Sequence, residues 1–232
     1  MLAGGHGSRL KNISGNVPKI LTKVANKNFI YWLEENLKRL KFSKVYYLVS
    51  NNSDLEAHVK IFDPKLDKNI LIDGEKRYGT GGAIINNLSS LPECFWIMYG
   101  DTLLNWDVHK SEEYFNNKNN NMMMTIINKD LGSDVPNINI NRDLVVKYSK
   151  SKEVKFEYID YGAILVNKKI FKNFKQNQEI DLSEVINQQI NNEDCLYFET
   201  EHPFYEMGTK HSYNALSKIL LEKEEVGNLW NL

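Results

Sequence analysis

The sequence predicts an α/β fold: a mixed, mainly parallel sheet with helices on both faces, followed by an antiparallel section. Three observations predict it. Through the first 130 residues, apolar runs of strand length alternate with segments whose apolar residues recur at helical spacing. Those early runs are almost continuously apolar, as strands covered on both faces are. Beyond residue 130 the strand-like runs follow one another on short connections, the pattern of antiparallel additions.

The elements follow in order. KVYYLVS (44–50), NILID (69–73), CFWIMY (94–99) and MMMTIIN (122–128) read as the early strands. Between them FIYWLEENLKRL (29–40), DLEAHVKIF (54–62) and GGAIINNL (81–88) read as helices. VPNINI (135–140), DLVVKYS (143–149) and FEYIDYGAILVN (156–167) are the later strands. NKKIFKNF (167–174), LSEVINQQI (182–190) and HSYNALSKILLEKEE (211–225) are helical in pattern, with Ser183 and Thr209 placed to cap the last two. KNNN at 118–121 is a short polar loop, and no internal repeat or long linker interrupts the chain.

At 232 residues the chain can bury a full core as one domain, 1–232. It is 42% apolar and 25% charged, an ordinary globular balance. A net charge of −1 gives no broad electrostatic case for nucleic acid or an anionic membrane as partner. No apolar run approaches the ~20 residues that span a bilayer, and the N-terminus lacks the basic-then-apolar pattern of a secretory signal. Cys94 and Cys195 both sit in apolar segments without CxxC spacing, so they read as buried packing thiols in a reducing compartment, the cytoplasm.

The stretch LAGGHGSR near the start carries more chemistry than any other. Gly4, Gly5 and Gly7 allow positive φ and close approach of the main chain to a ligand, and successive N–H groups in such a loop form an anion-binding concavity. Arg9 adds a fixed fork of donors suited to phosphate oxygens, and Lys19, after Pro18, adds a mobile ammonium. The spacing matches neither GxxxxGK[ST] nor GxGxxG. Only Met1, Leu2 and Ala3 precede the glycines, fewer than the roughly five or six residues of an ordinary strand. That stub implies a start further upstream or a clipped chain, and a sheet poorly supported beneath the loop.

Leu2 to Leu10, with Ser8 in the Ser/Thr slot and Pro18-Lys19 beyond, resembles the signature L-A-G-G-x-G-[ST]-R-L…P-K of the sugar-1-phosphate nucleotidylyltransferases. Three later segments extend the resemblance over nearly the whole chain. GEKRYGTGGAIINNL (74–88) is similar to the family's E-E-P-L-G-T-G-G-A segment, although Lys76-Arg77-Tyr78 departs from it. WIMYGDTLLNWD (96–107) presents Asp101 after a buried strand, where open α/β sheets bind ligands. FYEMGTKHSYNAL (204–216) is similar to D-[IV]-G-T-P-E-D-Y, with Glu206 in the slot of the aspartate and Lys210-His211 replacing Pro-Glu.

The resemblance implies a Rossmann-like, GT-A-like nucleotidyltransferase fold, with 1–130 as the nucleotide-binding half and 131–232 as the sugar-phosphate-binding half ending in a helix. It implies nucleotide contacts at Leu2, Ala3, Gly4, Gly5, Gly7, Ser8, Arg9, Glu75, Gly79, Thr80 and Gly81. Arg9, Lys19 and Asp101 would be catalytic, with Mg²⁺ on Asp101 and Glu206. Lys150 or Lys152, with Asp160 and Gly162, would hold the sugar phosphate. For Tyr161 the residues favour a core position on an amphipathic strand with Tyr158 and Ile159.

The reaction implied is attack of a sugar 1-phosphate oxygen on the α-phosphorus of an NTP, with pyrophosphate leaving. The chain most resembles the short D-glycero-D-manno-heptose 1-phosphate guanylyltransferases, which serve surface polysaccharide synthesis, and would act as monomer or homodimer. Two alternatives stay open. One is a nucleotide-sugar sensor without turnover, favoured by Glu206 and the altered 76–78 stretch. The other is a cytidylyltransferase for a non-sugar phosphate such as phosphocholine.

Overall fold

A computed structural model of the chain describes residues 1–4, 17–49, 66–72, 76, 78–132, 134–149 and 155–226. In chain order its strands and helices begin with β1 Lys23–Val24, β2 Lys27–Asn28, α1 Phe29–Arg39, β3 Lys44–Val49, β4 Asp67–Ile72 and α2 Gly79–Asn86. Then come β5 Cys94–Met98, β6 Thr102–Leu103, α3 Val108–Asn116, β7 Met122–Asn128, β8 Ile138–Asn141, β9 Leu144–Tyr148 and β10 Tyr158–Asn167. The chain closes with α4 Leu182–Asn191, β11 Cys195–Thr200, β12 Tyr205–Glu206 and α5 Lys210–Val226. The expected helix 54–62 lies outside the described residues.

The chain forms two compact units, interleaved in sequence: Met1–Ile72, Tyr99–Asn105 and Phe204–Leu232 make one, Asp73–Met98 and Trp106–Pro203 the other. In the first, β3 and β4 pair in parallel, Lys44 opposite Asp67 through Val49 opposite Ile72. The stub before the glycines is supported on both sides, with Leu2 bridging Leu48 and Tyr99 in parallel. Ala3 donates its N–H to Leu48 O, and Leu48 donates to Met1 O, each at 2.9 Å. Met1 itself is buried, which pushes its amino group down to about 5.

Helix α1 forms because Phe29, Ile30, Trp32, Leu33 and Leu37 fall on one stripe, and all are buried. Each such burial contributes roughly 1.5–3 kcal/mol. The helix ends on Lys41 in the left-handed region, with Phe42 N reaching back to Leu37 O. Ahead of it, Ala25 and Asn26 both take positive φ and make the two-residue turn of the β1–β2 hairpin. Trp32 Nε1 donates to Val24 O, and Tyr213 of α5 donates to Lys23 O, so the hairpin is held between two helices. Thr209 caps α5 as expected, its Oγ1 accepting from Ser212 N at 3.1 Å.

The second unit is built on a six-stranded sheet in the order β5-β10-β7-β11-β9-β8. Strand β10 runs antiparallel to both β5 and β7, so those two run parallel to each other across it, and β11 runs parallel to β7. Strands β8 and β9 are the antiparallel additions expected after residue 130, and β8 also meets β10 where Ile138 pairs with Tyr158. Residues Met122–Ile127 of β7 are all buried, as a strand covered on both faces requires. Phe115 of α3, Met123, Leu165 and Leu196 form one core cluster of the sheet.

Four local expectations are corrected. Cys94 is exposed and only Cys195 is buried, because Cys94 opens β5 at the sheet's edge. The pattern at 167–174 yields only a short 3-10 turn, Lys168–Phe171. The cap of α4 is Asp181, which accepts from Ser183 N and forms a capping box with Glu184, so Ser183 lies inside the helix. The strand expected at 135–140 begins at Ile138.

Candidate active site

In the first unit, Lys19 sits on a 3-10 turn, Lys19–Leu21, whose following residues Ile20 and Leu21 are buried anchors. Its Nζ lies 2.6 Å from Asp101 Oδ2, joining positions far apart in sequence. The side chains are 13% and 35% exposed, so the ammonium is largely shielded and the carboxylate stays accessible. Thr102 Oγ1 donates to the other oxygen, Oδ1, at 3.0 Å.

The segment that carries Asp101 is held before it, at it and after it. Gly100 N donates to Leu2 O, and a Cβ on Gly100 would stand 3.0 Å from that same oxygen, so a larger residue would have to ease this segment off the Leu2–Ala3 stub by a few tenths of an ångström. Met207 N donates to Asp101 O at 2.7 Å. Behind Asp101, the buried Asn36 amide of α1 both donates to Leu104 O and accepts from Leu104 N, and Arg39 donates to Leu104 O and Asn105 Oδ1.

Glu206 of β12 pairs with Thr102 of β6, one ladder step from Asp101. Its carboxylate folds over Gly208, where an added Cβ would stand 2.7 Å from Oε2. The extra methylene relative to aspartate is thus taken up by a side chain curled along its own strand end. A small divalent cation takes one or two carboxylates and completes its shell with phosphate and water oxygens, and Asp101 and Glu206 are the hard carboxylate ligands this segment supplies. Among the described residues, no three His, Cys, Asp or Glu side chains gather to hold a metal unaided.

In the second unit, Asp160 lies on β10 at an irregularity: four steps from Asp160 to Ile164 face two steps on β7 from Ile126 to Met124. Gly162 has φ 91° there, a conformation that demands glycine, and donates its N–H to Asp160 Oδ1 at 3.0 Å. Asp160 N donates to Asn137 Oδ1 at 2.8 Å, and Tyr148 OH, from β9, donates to Asp160 Oδ2 at 3.4 Å. Both of these donors to the carboxylate are neutral. Tyr161 is buried, edge-on to Trp106 with ring centroids 6.4 Å apart, in agreement with the core reading.

The Gly79–Gly81 segment also belongs to the second unit. Gly79 has φ 73°, and a Cβ there would stand 2.5 Å from Ile180 O. Gly81 and Gly82 both donate to that oxygen. Thr80 does not cap its own helix; its Oγ1 accepts from Leu182 N, the first residue of α4. These glycines thus seat α2 against the entry to α4.

Of the residues expected at the site, Leu2, Ala3, Gly4, Lys19, Gly79, Thr80, Gly81, Asp101, Asp160, Gly162 and Glu206 are described, while Gly5, Gly7, Ser8, Arg9, Glu75, Lys150 and Lys152 lie outside the described residues. Sequence reasoning missed Thr102, Asn36 and Tyr148. Thr102 follows Asp101 directly, and that adjacency was a usable signal; the other two read only as members of a helix and a strand.

The chain belongs to the nucleotidyl transferase family, whose model matches residues 1–136. It is similar to the D-glycero-alpha-D-manno-heptose 1-phosphate guanylyltransferase of Campylobacter jejuni, at 27% identity over 191 residues, which covers 80% of this chain and 83% of that protein. Two solved structures share its fold. HddC from Yersinia pseudotuberculosis, complexed with GMP-PN, matches with a TM-score of 0.73 and 23% identity over 94% of this chain and 96% of its own. The inositol-1-phosphate CTP transferase of T. maritima matches with a TM-score of 0.77 and 19% identity over 94% and 93%.

Proposed function

We propose that the chain transfers a nucleotidyl group from an NTP to a sugar 1-phosphate, releasing pyrophosphate, and that its pair of substrates is GTP with a D-glycero-D-manno-heptose 1-phosphate. The whole of 1–232 works as one nucleotidyltransferase domain, in the cytoplasm, in the supply of activated sugar for surface polysaccharide. The observation that carries this reading is the Lys19–Asp101 pair at 2.6 Å, set on the same stub that opens the glycine loop.

Both reactants are polyanions, so the work of the site is positioning and charge neutralisation. Arg9 and the Gly4–Ser8 main chain hold the β- and γ-phosphates. Lys19 offsets charge on the transferred group. Asp101, together with Glu206, would hold Mg²⁺, which when bound supplies positive charge against the phosphate oxygens. The Gly79–Gly81 main chain lies along the nucleobase, with Glu75 near it. Lys150 or Lys152 holds the incoming phosphate, and Asp160 accepts hydrogen bonds from sugar hydroxyls. No general base is needed, because a sugar phosphate is already ionised near neutral pH.

The test is pyrophosphate release with Mg²⁺ and each of the four NTPs, against the heptose 1-phosphate, other sugar 1-phosphates and phosphocholine. Turnover with GTP and the heptose 1-phosphate above every other pair is expected. Preference for CTP with phosphocholine would replace the reading with a cytidylyltransferase. Nucleotide binding, seen as a raised melting temperature, without turnover of any pair would replace it with a sensor.

A further inference from the structure

We infer that Thr80 is a positioning residue, whose hydroxyl fastens the Gly79–Gly81 main chain to the start of α4 and so sets how tightly the base end of the nucleotide is held. This rests on the reading of Gly79–Gly81 as the nucleobase contact.

Two helix starts meet in the second unit, and each supplies acceptors to the other. The first four N–H groups of a helix have no partner within it. Tyr78, ahead of α2, makes no side-chain cap. Ile180 O serves instead, accepting from Gly81 N at 2.9 Å and from Gly82 N at 3.0 Å, while Ile180 N donates to Tyr78 O. At α4 the Asp181 cap accepts from Ser183 N. The N–H of Leu182, the first residue of that helix, goes to Thr80 Oγ1 at 2.9 Å, across 102 positions of sequence.

This approach leaves no room for side chains on the facing part of α2. A Cβ on Gly79 would stand 2.5 Å from Ile180 O, and one on Gly82 would stand 2.7 Å from Gln178 O. Gly79 also takes φ 73°, which favours glycine. Glycine main chain loses the most conformational freedom on being fixed, so the same residues that allow the approach make the run costly to order. Within GTGG, 79–82, only Thr80 carries a side chain, and its hydroxyl is the one side-chain tie the run can make. The anchor is firm, because Ile180 and Leu182 are both buried. A base resting on main chain that is already ordered is spared the cost of ordering it. The structure thus gives the hydroxyl to α4 and leaves the base to the main chain.

The experiment titrates the wild type, Thr80→Val and Thr80→Ser with GTP and with inorganic pyrophosphate, and follows backbone amides by NMR. Valine keeps the branched shape and removes the hydroxyl, whereas serine keeps the hydroxyl. In Thr80→Val the Kd for GTP should rise about three- to tenfold, with that for pyrophosphate, which has no base, unchanged. Thr80→Ser should bind GTP within about twofold of wild type. The Leu182 amide should exchange with solvent faster in Thr80→Val and not in Thr80→Ser. Unchanged GTP affinity in Thr80→Val would overturn the positioning role, and so would failure of serine to restore it. Equal weakening of GTP and pyrophosphate would overturn it as well, because a general loss of structure does not select the base end. In the wild type, GTP should shift the Gly79–Gly81 amides and pyrophosphate should not. Amides that ignore GTP would overturn the base reading and this inference together. Amides that respond to GTP in the wild type, with normal GTP binding in Thr80→Val, would keep the base reading and reject only the role of Thr80.

Discussion

Two lysine–carboxylate pairs in the first unit are nearly identical as distances and different as devices. Lys19 Nζ lies 2.6 Å from Asp101, and Lys68 Nζ lies 2.7 Å from Glu34. Glu34 and Lys68 are 2% and 9% exposed, and the Tyr47 hydroxyl also donates to Glu34. Asp101 is 35% exposed, and it stands on a main chain fixed by Leu2 and Met207. The Lys68–Glu34 pair is closed from solvent and holds α1 to β4. The Lys19–Asp101 pair is open on its carboxylate side, so its charges remain usable by a ligand. Exposure of the acid, and not the length of the contact, separates a structural ion pair from a chemical one.

That contrast predicts a double dissociation. Lys19→Ala and Asp101→Asn should each lower kcat by about two to three orders of magnitude, as removal of a charge-stabilising group does. Their urea midpoints should stay close to wild type, because an accessible pair contributes little to stability. Lys68→Met should do the reverse. It strands a buried carboxylate and should destabilise the fold by about 3–5 kcal/mol, with kcat at a permissive temperature retained. Paired measurements of turnover and denaturation decide the matter. Equal loss of stability in Lys19→Ala would erase the distinction between the pairs.

The next effect in size concerns Glu206. Its carboxylate lies against Gly208, so Gly208→Ala must push it aside. The expected outcome is several-fold weaker Mn²⁺ binding in an equilibrium titration without substrate, with a smaller change in NTP affinity. Glu206→Asp shortens the arm and tests the fold-over directly: Mn²⁺ binding at wild-type strength or tighter would mean the curl is a correction for length, whereas weaker binding would mean the longer arm is the fitted one.

Much of this was legible from the residues. Periodicity located α1, α4 and α5 and most of the sheet strands, because a buried face must repeat with its element. The Lys19–Asp101 meeting was foreseen through the resemblance of two segments, Leu2–Leu10 with Pro18-Lys19 and WIMYGDTL. The hairpin at Val24–Lys27 was not, since Ala25-Asn26 lacks the Asn-Gly or Asp-Gly of such turns. Strand β11 was not assigned, because CLYFET shows no alternation that separates a strand from a packing run. Tyr148 was legible only as a strand residue, because its partner Asp160 comes to it through β8, and pairing of strands is not written in either segment. The packing of the glycines at 79–82 on Gln178 and Ile180 was not legible, because that partner lies far along the chain.

The smallest effect expected is a pH dependence of the Lys68 penalty. Burial holds the Glu34 carboxyl above its ordinary 4.5, against the downward pulls of Lys68, Tyr47 and Lys38. A carboxyl raised in the fold favours folding most below its unfolded pKa, and that advantage is lost as pH rises through the folded value. Lys68→Met removes the largest downward pull, so the folded value moves higher and the fold carries a wider stability deficit above it. The penalty measured by urea unfolding should therefore be largest near about pH 8 and shrink toward about pH 4.5, by roughly 1.4 kcal/mol for each unit by which the substitution displaces the folded pKa. A penalty independent of pH would mean that Lys68 contributes only the packing of its stem, and Lys68–Glu34 would no longer serve as the structural counterpart against which Lys19–Asp101 is judged.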